Sequence, residues 1–116
     1  MKLLFCLLLM VSTSTAFGQT GNQSTAKYFG QCLFTITDNA ELEALQTEMR
    51  ENDNLEMVRL DHNTQRAFII THGLSGLTEE EFTSWFGTHG VSVHCIQVGV
   101  YGVDTMNPYP FTNCQN

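Results

Sequence analysis

The feature that most constrains this chain is an abrupt change of hydrophobic period after residue 37. Residues 32–37 alternate apolar and polar side chains, as a half-buried strand does. Asp38 and Glu41 then form an acidic capping box, which opens a helix. Apolar residues follow at helical spacing: Leu42, Leu45 and Met49. We therefore expect the chain to pass directly from a strand into a helix.

The same two periods recur further along the chain. Residues 55–61 and 65–71 are rich in β-forming side chains and flank a turn at 62–64, which predicts a hairpin. Thr78 and Glu81 form a second capping box. The second helix has aromatic residues spaced along one face: Phe82, Trp85 and Phe86. A valine-rich run, 91–101, predicts the last strand.

The predicted order is strand, helix, strand, strand, helix, strand. Right-handed crossovers place both helices on one face of a four-stranded antiparallel sheet. The expected fold class is therefore α+β, a ferredoxin-like βαββαβ sandwich, over residues 31–101. Residues 102–116 contain two prolines and no periodicity, and predict an irregular C-terminal tail. The second face of the sheet is left to solvent or to a partner.

The first 18 residues have the layout of a secretory signal peptide. Lys2 precedes an apolar run, 3–11, and the small residues Ala16 and Gly18 suit a cleavage site. The apolar run is shorter than the roughly 20 residues that span a bilayer, so no membrane segment is expected after cleavage. Residues 19–30 are polar and predict a flexible lead-in. These features predict a secreted or periplasmic protein.

The composition is acidic, with 12 Asp and Glu against 5 Lys and Arg and a formal net charge of −7. Nucleic acids and anionic membranes attract basic surfaces, so neither is an expected partner. No Cys-x-x-Cys pair is present, which argues against a thioredoxin-type redox site and a zinc ribbon. We expect no cofactor.

Three cysteines remain after signal cleavage, so one pair is expected to bond in an oxidising compartment. Cys32 begins the first predicted strand, and the tail leaves the last strand beside that point. This topology predicts a disulfide between Cys32 and Cys114. Cys95 lies near the middle of its strand and is expected to be a free, packed thiol that behaves as a small hydrophobe.

The element order from residue 31 to 101 resembles that of heavy-metal-associated domains, the copper-chaperone-like modules. That family binds soft metal ions with a Cys-x-x-Cys motif at the first strand-to-helix corner. This chain has Thr37-Asp38-Asn39-Ala40-Glu41 at the same corner, with no thiol. Thiolates are the ligands that select Cu(I) and similar ions, so the resemblance implies the fold without the family's metal chemistry.

Two further patterns resemble functional sites. In the predicted topology His62, His89 and Asp38 lie at one end of the sheet, and they are the candidates for a His-based metal site, although we predict none. His72-Gly73-Leu74-Ser75-Gly76-Leu77 lies between a strand and a helix, as a nucleophile elbow does. The elbow requires glycine where Leu77 stands, so we predict that the protein is not an enzyme.

The function that these patterns favour is an exported, small, non-catalytic binding or interaction module. Its partner, a protein or a small molecule, is unknown. One alternative is a degenerate heavy-metal-associated domain with a His-based metal site. Another is a stand-alone inhibitor similar to protease propeptides, which share this sandwich and place a C-terminal tail in the protease cleft.

Overall fold

The computed structural model describes residues 26–111 and residue 114. The elements are β1 (Tyr28–Leu33), α1 (Asn39–Arg50), β2 (Leu55–Asp61), β3 (Arg66–Thr71), α2 (Glu79–Ser84), a 3-10 helix η1 (Gly87–Ser92) and β4 (His94–Val100). The predicted signal peptide, 1–18, and the lead-in up to residue 25 lie outside the described residues.

The four strands form one antiparallel sheet in the order β2-β3-β1-β4. The two strands that precede the helices in sequence, β1 before α1 and β3 before α2, lie in the centre, and β2 and β4 form the edges. This order is that of the ferredoxin-like βαββαβ sandwich, and the predicted fold class is confirmed.

Both helices begin where their caps predict. The Asp38 carboxylate accepts hydrogen bonds from the backbone N–H groups of Ala40 (2.9 Å) and Glu41 (3.3 Å). The Thr78 hydroxyl accepts one from the N–H of Glu81 at 3.0 Å. Each bond satisfies a backbone donor that has no partner inside the helix.

One face of the sheet carries the main hydrophobic core. The buried side chains of α1 and the aromatic residues after Thr78 pack against alternate residues of the strands. Members of this core include Cys32, Phe34, Leu42, Leu45, Met49, Val58, Leu60, Ala67, Ile69, Phe82 and Phe86. Trp85 packs against the cluster but is only partly buried, whereas Phe82 and Phe86 are fully buried.

The first strand lies four residues earlier than predicted. The sequence predicts a lead-in over residues 19–30 because that segment is mostly polar and turn-rich, although Tyr28 and Phe29 are aromatic. In the structure Gly30 belongs to a central strand, and a Cβ there would overlap the ring of Phe82. The Phe82 ring therefore occupies the space that a larger side chain would fill.

The last strand is shorter than predicted. Residues 87–92 form η1, so pairing with β1 begins only at His94, opposite Leu33. Gly87 has a φ of +59°, in the left-handed region that favours glycine, and it redirects the chain after Phe86.

Candidate functional site

The sheet face opposite the helices is partly covered by the segment after β4. We call residues 101–111 and 114 the tail. Gly30 faces α2, so its neighbour Gln31 faces the tail. The side-chain amide of Gln31 donates to the Asn107 carbonyl oxygen at 3.0 Å and to Oε1 of Gln97 at 2.8 Å. Gln31 is only 1% exposed, so its hydrogen bonds to the tail replace those it would make with water.

Gln97 of β4 holds the tail at two further points. Its Oε1 accepts a hydrogen bond from the backbone N–H of Asn107 at 2.8 Å, and its Nε2 donates to the Thr105 carbonyl at 3.0 Å. Earlier in the tail, the Asp104 carboxylate accepts from the N–H of Val100 at 2.7 Å. These bonds fix the course of the tail across β4 and β1.

A disulfide joins the far end of the tail to the sheet, and it is not the one predicted. Cys114 bonds to Cys95, with Cα atoms 5.3 Å apart, and the expected Cys32–Cys114 pairing is wrong. The pairing of β1 with β4 is irregular between Gln31 and Leu33, where Cys95 adopts a φ of +54°. This irregularity brings Cys95 within bonding distance of the tail.

Cys32 is free and fully buried on the helix side of the sheet. It shares that face with Gly30 and Phe34, whereas the tail crosses the other face. Burial raises the pKa of the Cys32 thiol to about 12, because the charged thiolate would lose its hydration. Cys32, and not Cys95 as the sequence predicts, is therefore the packed thiol, and it is not a candidate nucleophile.

Two aromatic rings of the tail lie over an arginine of β3. The guanidinium carbon of Arg66 is 5.2 Å from the ring centroid of Tyr109 and 6.0 Å from that of Phe111. The two rings meet edge to face, with centroids 5.8 Å apart. Cation–π contacts of this kind hold a guanidinium plane in place.

A cavity of about 400 Å³ opens beside Arg66 on the hairpin of β2 and β3. Its described lining residues are Arg59, Asp61, Thr64, Arg66 and Phe68, and we call it the hairpin pocket. Register places Arg59 opposite Phe68 and Asp61 opposite Arg66. The pocket thus has two cations, one carboxylate and one aromatic ring.

The charged side chains of the hairpin pocket differ in whether they have partners. The Asp61 carboxylate accepts hydrogen bonds from the hydroxyl and the N–H of Thr64, and these hold the pKa of Asp61 below its ordinary value. In the part of the chain that the structure describes, Lys27 and Glu56 form an ion pair, whereas Arg59 and Arg66 form none. The Nε of Arg66 is buried and has no hydrogen-bond partner.

The three candidate metal ligands lie in different elements. The Nε2 of His62 lies 3.0 Å from the Thr37 carbonyl oxygen, and Asp38 caps α1. His89 belongs to η1 and lines a cleft between the helices. Among residues 26–111 and 114, no group of three or more His, Cys, Asp and Glu is arranged to hold a metal ion.

The sequence interpretation missed Arg59 and Arg66. A signal for them was present, because they occupy the polar positions of two strands joined by a short turn, where register follows from the turn. Tyr109 and Phe111 carry no such signal, since their position over Arg66 depends on the path of the tail.

Comparison with known proteins does not identify a family for this chain. No family model matches the chain, and no curated protein matches it. Among solved structures, the apo form of the HMA domain of a copper chaperone for superoxide dismutase is similar, with a TM-score of 0.49 and 14% sequence identity. The match covers 90% of this chain and 96% of that one. At this similarity neither ligand nor activity carries over, and the fold assignment rests on the sheet order.

None of the helices within the described residues is long and apolar enough to cross a membrane.

Proposed function

We propose that this protein is an exported, non-catalytic binding module that holds an oxyanion, a carboxylate or a phosphate ester, in the hairpin pocket. The observation that carries the proposal is that the Arg66 guanidinium contacts two rings but forms no ion pair among the described residues. The rings are those of Tyr109 and Phe111, and the buried Nε of Arg66 has no acceptor in the described part of the chain. The charge of this guanidinium has no ion-pair partner within residues 26–111 and 114, and an oxyanion in the pocket would balance it.

The charge distribution supports an anionic ligand. Arg59 and Arg66 are two of only 5 Lys and Arg residues in an acidic chain, and both line this one pocket. The planar guanidinium group offers paired N–H donors that match the oxygens of a carboxylate or phosphate. Asp61 is the one carboxylate among the described lining residues, and the two arginines outnumber it.

The apolar surroundings define the rest of the ligand. Phe68 lines the pocket, and the rings of Tyr109 and Phe111 cover Arg66 from the tail side. A ligand that joins an oxyanion to a flat apolar group would contact both kinds of surface. Such a mixture of apolar wall and few charged groups is usual for small-molecule sites.

The non-catalytic part of the proposal rests on the chemistry of the lining residues. Those described are arginine, aspartate, threonine and phenylalanine, and none is a cysteine or a histidine. Cys32 lies on the other side of the sheet, and its raised pKa keeps the thiol protonated. Among the described residues, no cluster supports the His-based metal site. The tail contacts the chain's own sheet, which does not favour a protease inhibitor that places its tail in another protein.

Export is supported by two independent features. Residues 1–18 have the pattern of a signal peptide, and the Cys95–Cys114 bond suits an oxidising compartment. Intact mass of secreted material should correspond to a chain that begins at Gln19. A full-length chain retained in the membrane would overturn this part of the proposal.

The binding proposal is tested by titrating the mature protein with benzoate, phenyl phosphate and neutral benzamide. Addition of benzoate or phenyl phosphate should shift the backbone amide NMR signals of the hairpin of β2 and β3. Addition of benzamide should shift them little. The variant Arg59→Gln should weaken the response, and Lys27→Gln, which removes one exposed charge elsewhere, should not. Equal shifts for all three compounds, or an equal loss in both variants, would contradict an oxyanion site.

A further inference from the structure

The helix side of the molecule contains a second concave surface. Two adjoining cavities, of about 280 and 210 Å³, lie between α1 and the end of α2, and we call them together the interhelix cleft. Glu48, Ser84 and Trp85 line both cavities. The cleft therefore runs along α1, with Trp85 at its middle.

The cleft has an apolar floor and an acidic wall. Leu45 and Phe86 line its first part and Met49 its second, and all three are buried core residues. Glu41 and Glu48 stand on the α1 side. His89 is the other titratable group that lines it, on the η1 side. Trp85 is only partly buried, so part of the indole remains open to an incoming group.

Most charged side chains of the helix layer are acidic. The exposed positions of α1 and the first turn of α2 are rich in glutamate: Glu41, Glu43, Glu48, Glu79, Glu80 and Glu81. Arg50, the basic residue of α1, donates to Gln46 and to the Val58 carbonyl, at the β2 side of the helix. A cationic partner is therefore attracted to this layer, and an anionic one is repelled.

We propose that the interhelix cleft binds a basic amphipathic segment of another protein. An apolar side chain of that segment contacts Trp85 and the floor, and a lysine or arginine beside it pairs with Glu48. A cation at this position also lies near the indole, where cation–π attraction adds to the ion pair. Recognition of a helix by an apolar groove with charged rims is a common mode of peptide binding.

The chain itself offers few cations for this role. Lys27 is paired with Glu56, and Arg50 is bonded to its own helix and to β2. Residues 19–25 contain no lysine or arginine. Among the described residues, a second copy could supply Arg59 or Arg66, both in the hairpin pocket, so self-association is the alternative that a test must separate.

Trp85 is the single tryptophan of the chain, so its fluorescence reports on the cleft. The probe is a synthetic peptide of about 14 residues built from leucine and lysine at helical spacing, long enough to form a helix when bound. Its controls replace every lysine by glutamate or by glutamine. We expect the lysine peptide alone to change the emission of the mature, disulfide-bonded protein in a saturable manner, and salt should weaken it.

The decisive comparison uses two charge-matched variants of α1. Glu48→Gln should weaken binding of the lysine peptide about three- to five-fold, as the loss of one partly exposed ion pair does. Glu43→Gln removes an exposed carboxylate from α1 outside the cleft and should leave the affinity within about two-fold. Both positions are exposed, so thermal melting should show both variants folded.

Three results would overturn the proposal. Equal losses in Glu48→Gln and Glu43→Gln would mean diffuse charge attraction rather than a cleft. Equal binding of the glutamine peptide would mean that apolar contact suffices. Concentration-dependent dimers that Arg59→Gln abolishes, with no peptide response, would assign the cleft to a second copy.

Discussion

The two faces of the sheet are covered in different ways. On the helix side α1 and α2 bury a continuous set of aliphatic and aromatic side chains against alternate strand residues. On the tail side Phe29 and Ile70 are buried too, but the tail is held by the amides of Gln31 and Gln97, by contacts with Arg66 and by a disulfide.

This difference predicts that mutations on the helix side and on the tail side affect the protein in different ways. Apolar burial is non-directional and shared among many contacts, so a defect on the helix side lowers the stability of the whole domain. Hydrogen bonds and a disulfide are few and directional, so a defect on the tail side should first release the tail. The following predictions test this contrast, beginning with the largest expected effect.

Phe82→Ala should lower the free energy of unfolding by about 3–5 kcal/mol, the usual result for a fully buried phenylalanine. Its ring is 0% exposed and lies 5.5 Å from that of Phe86, centroid to centroid. Urea denaturation measures the change. Because the Phe82 ring fills the space above Gly30, Gly30→Ala should be much less harmful in the Phe82→Ala background than alone. Simple additivity of the two changes would contradict this packing.

Cys114→Ala should lower the free energy of unfolding by about 3 kcal/mol, because the disulfide closes a loop of roughly 20 residues in the unfolded chain. Amide exchange in the tail should accelerate, whereas α1 should stay protected until global unfolding. A reducing agent should have no further effect on this variant. Peptide mapping of the unreduced wild-type protein should yield a Cys95–Cys114 pair, and a Cys32–Cys114 pair would refute the structure of the tail.

Gln31→Met should cost about 1–3 kcal/mol, since it leaves the part-buried Asn107 carbonyl without its Gln31 donor and removes one of the two donors to Oε1 of Gln97. Hydrogen exchange should become faster at the amide of Asn107 and remain slow at Leu45 of α1. If both amides became faster to the same degree, the tail would not be a separate unit of stability.

Thr78→Ala should cost about 1 kcal/mol, the usual value for a side-chain cap. The hydroxyl accepts the N–H of Glu81 and sits at the start of the helix that carries Phe82. Thr47→Ala, an exposed change in α1, is the control and should stay within about 0.5 kcal/mol. Equal denaturation midpoints for the two variants would argue against the cap.

The helix side was largely predictable because its signals are local. Asp38 and Thr78 cap their helices as the capping boxes indicate. Leu42, Leu45 and Met49 are buried as their spacing requires. A cap and a helical stripe involve residues within a few positions of each other, so the sequence contains the whole pattern.

The candidate site was less predictable. The hairpin itself was recognised, with β2 at Leu55–Asp61 as expected. The importance of Arg59 and Arg66 was not, because their exposure and lack of carboxylate partners depend on what covers the sheet. The rings over Arg66 come from residues more than forty positions away in the tail.

The sequence by itself determined the order of elements, the two helix starts and the hairpin, and together these specify the ferredoxin-like sheet order. Only the tertiary structure decided that β1 begins at Tyr28, that Cys95 rather than Cys32 bonds to Cys114, and that the tail crosses the open face. The physical reason is the distance along the chain over which each interaction acts. Periodicity and capping act between near neighbours in the sequence. The partner in a disulfide depends instead on which sheet face each cysteine occupies, and one irregular residue in β4 changes the face on which the following residues lie.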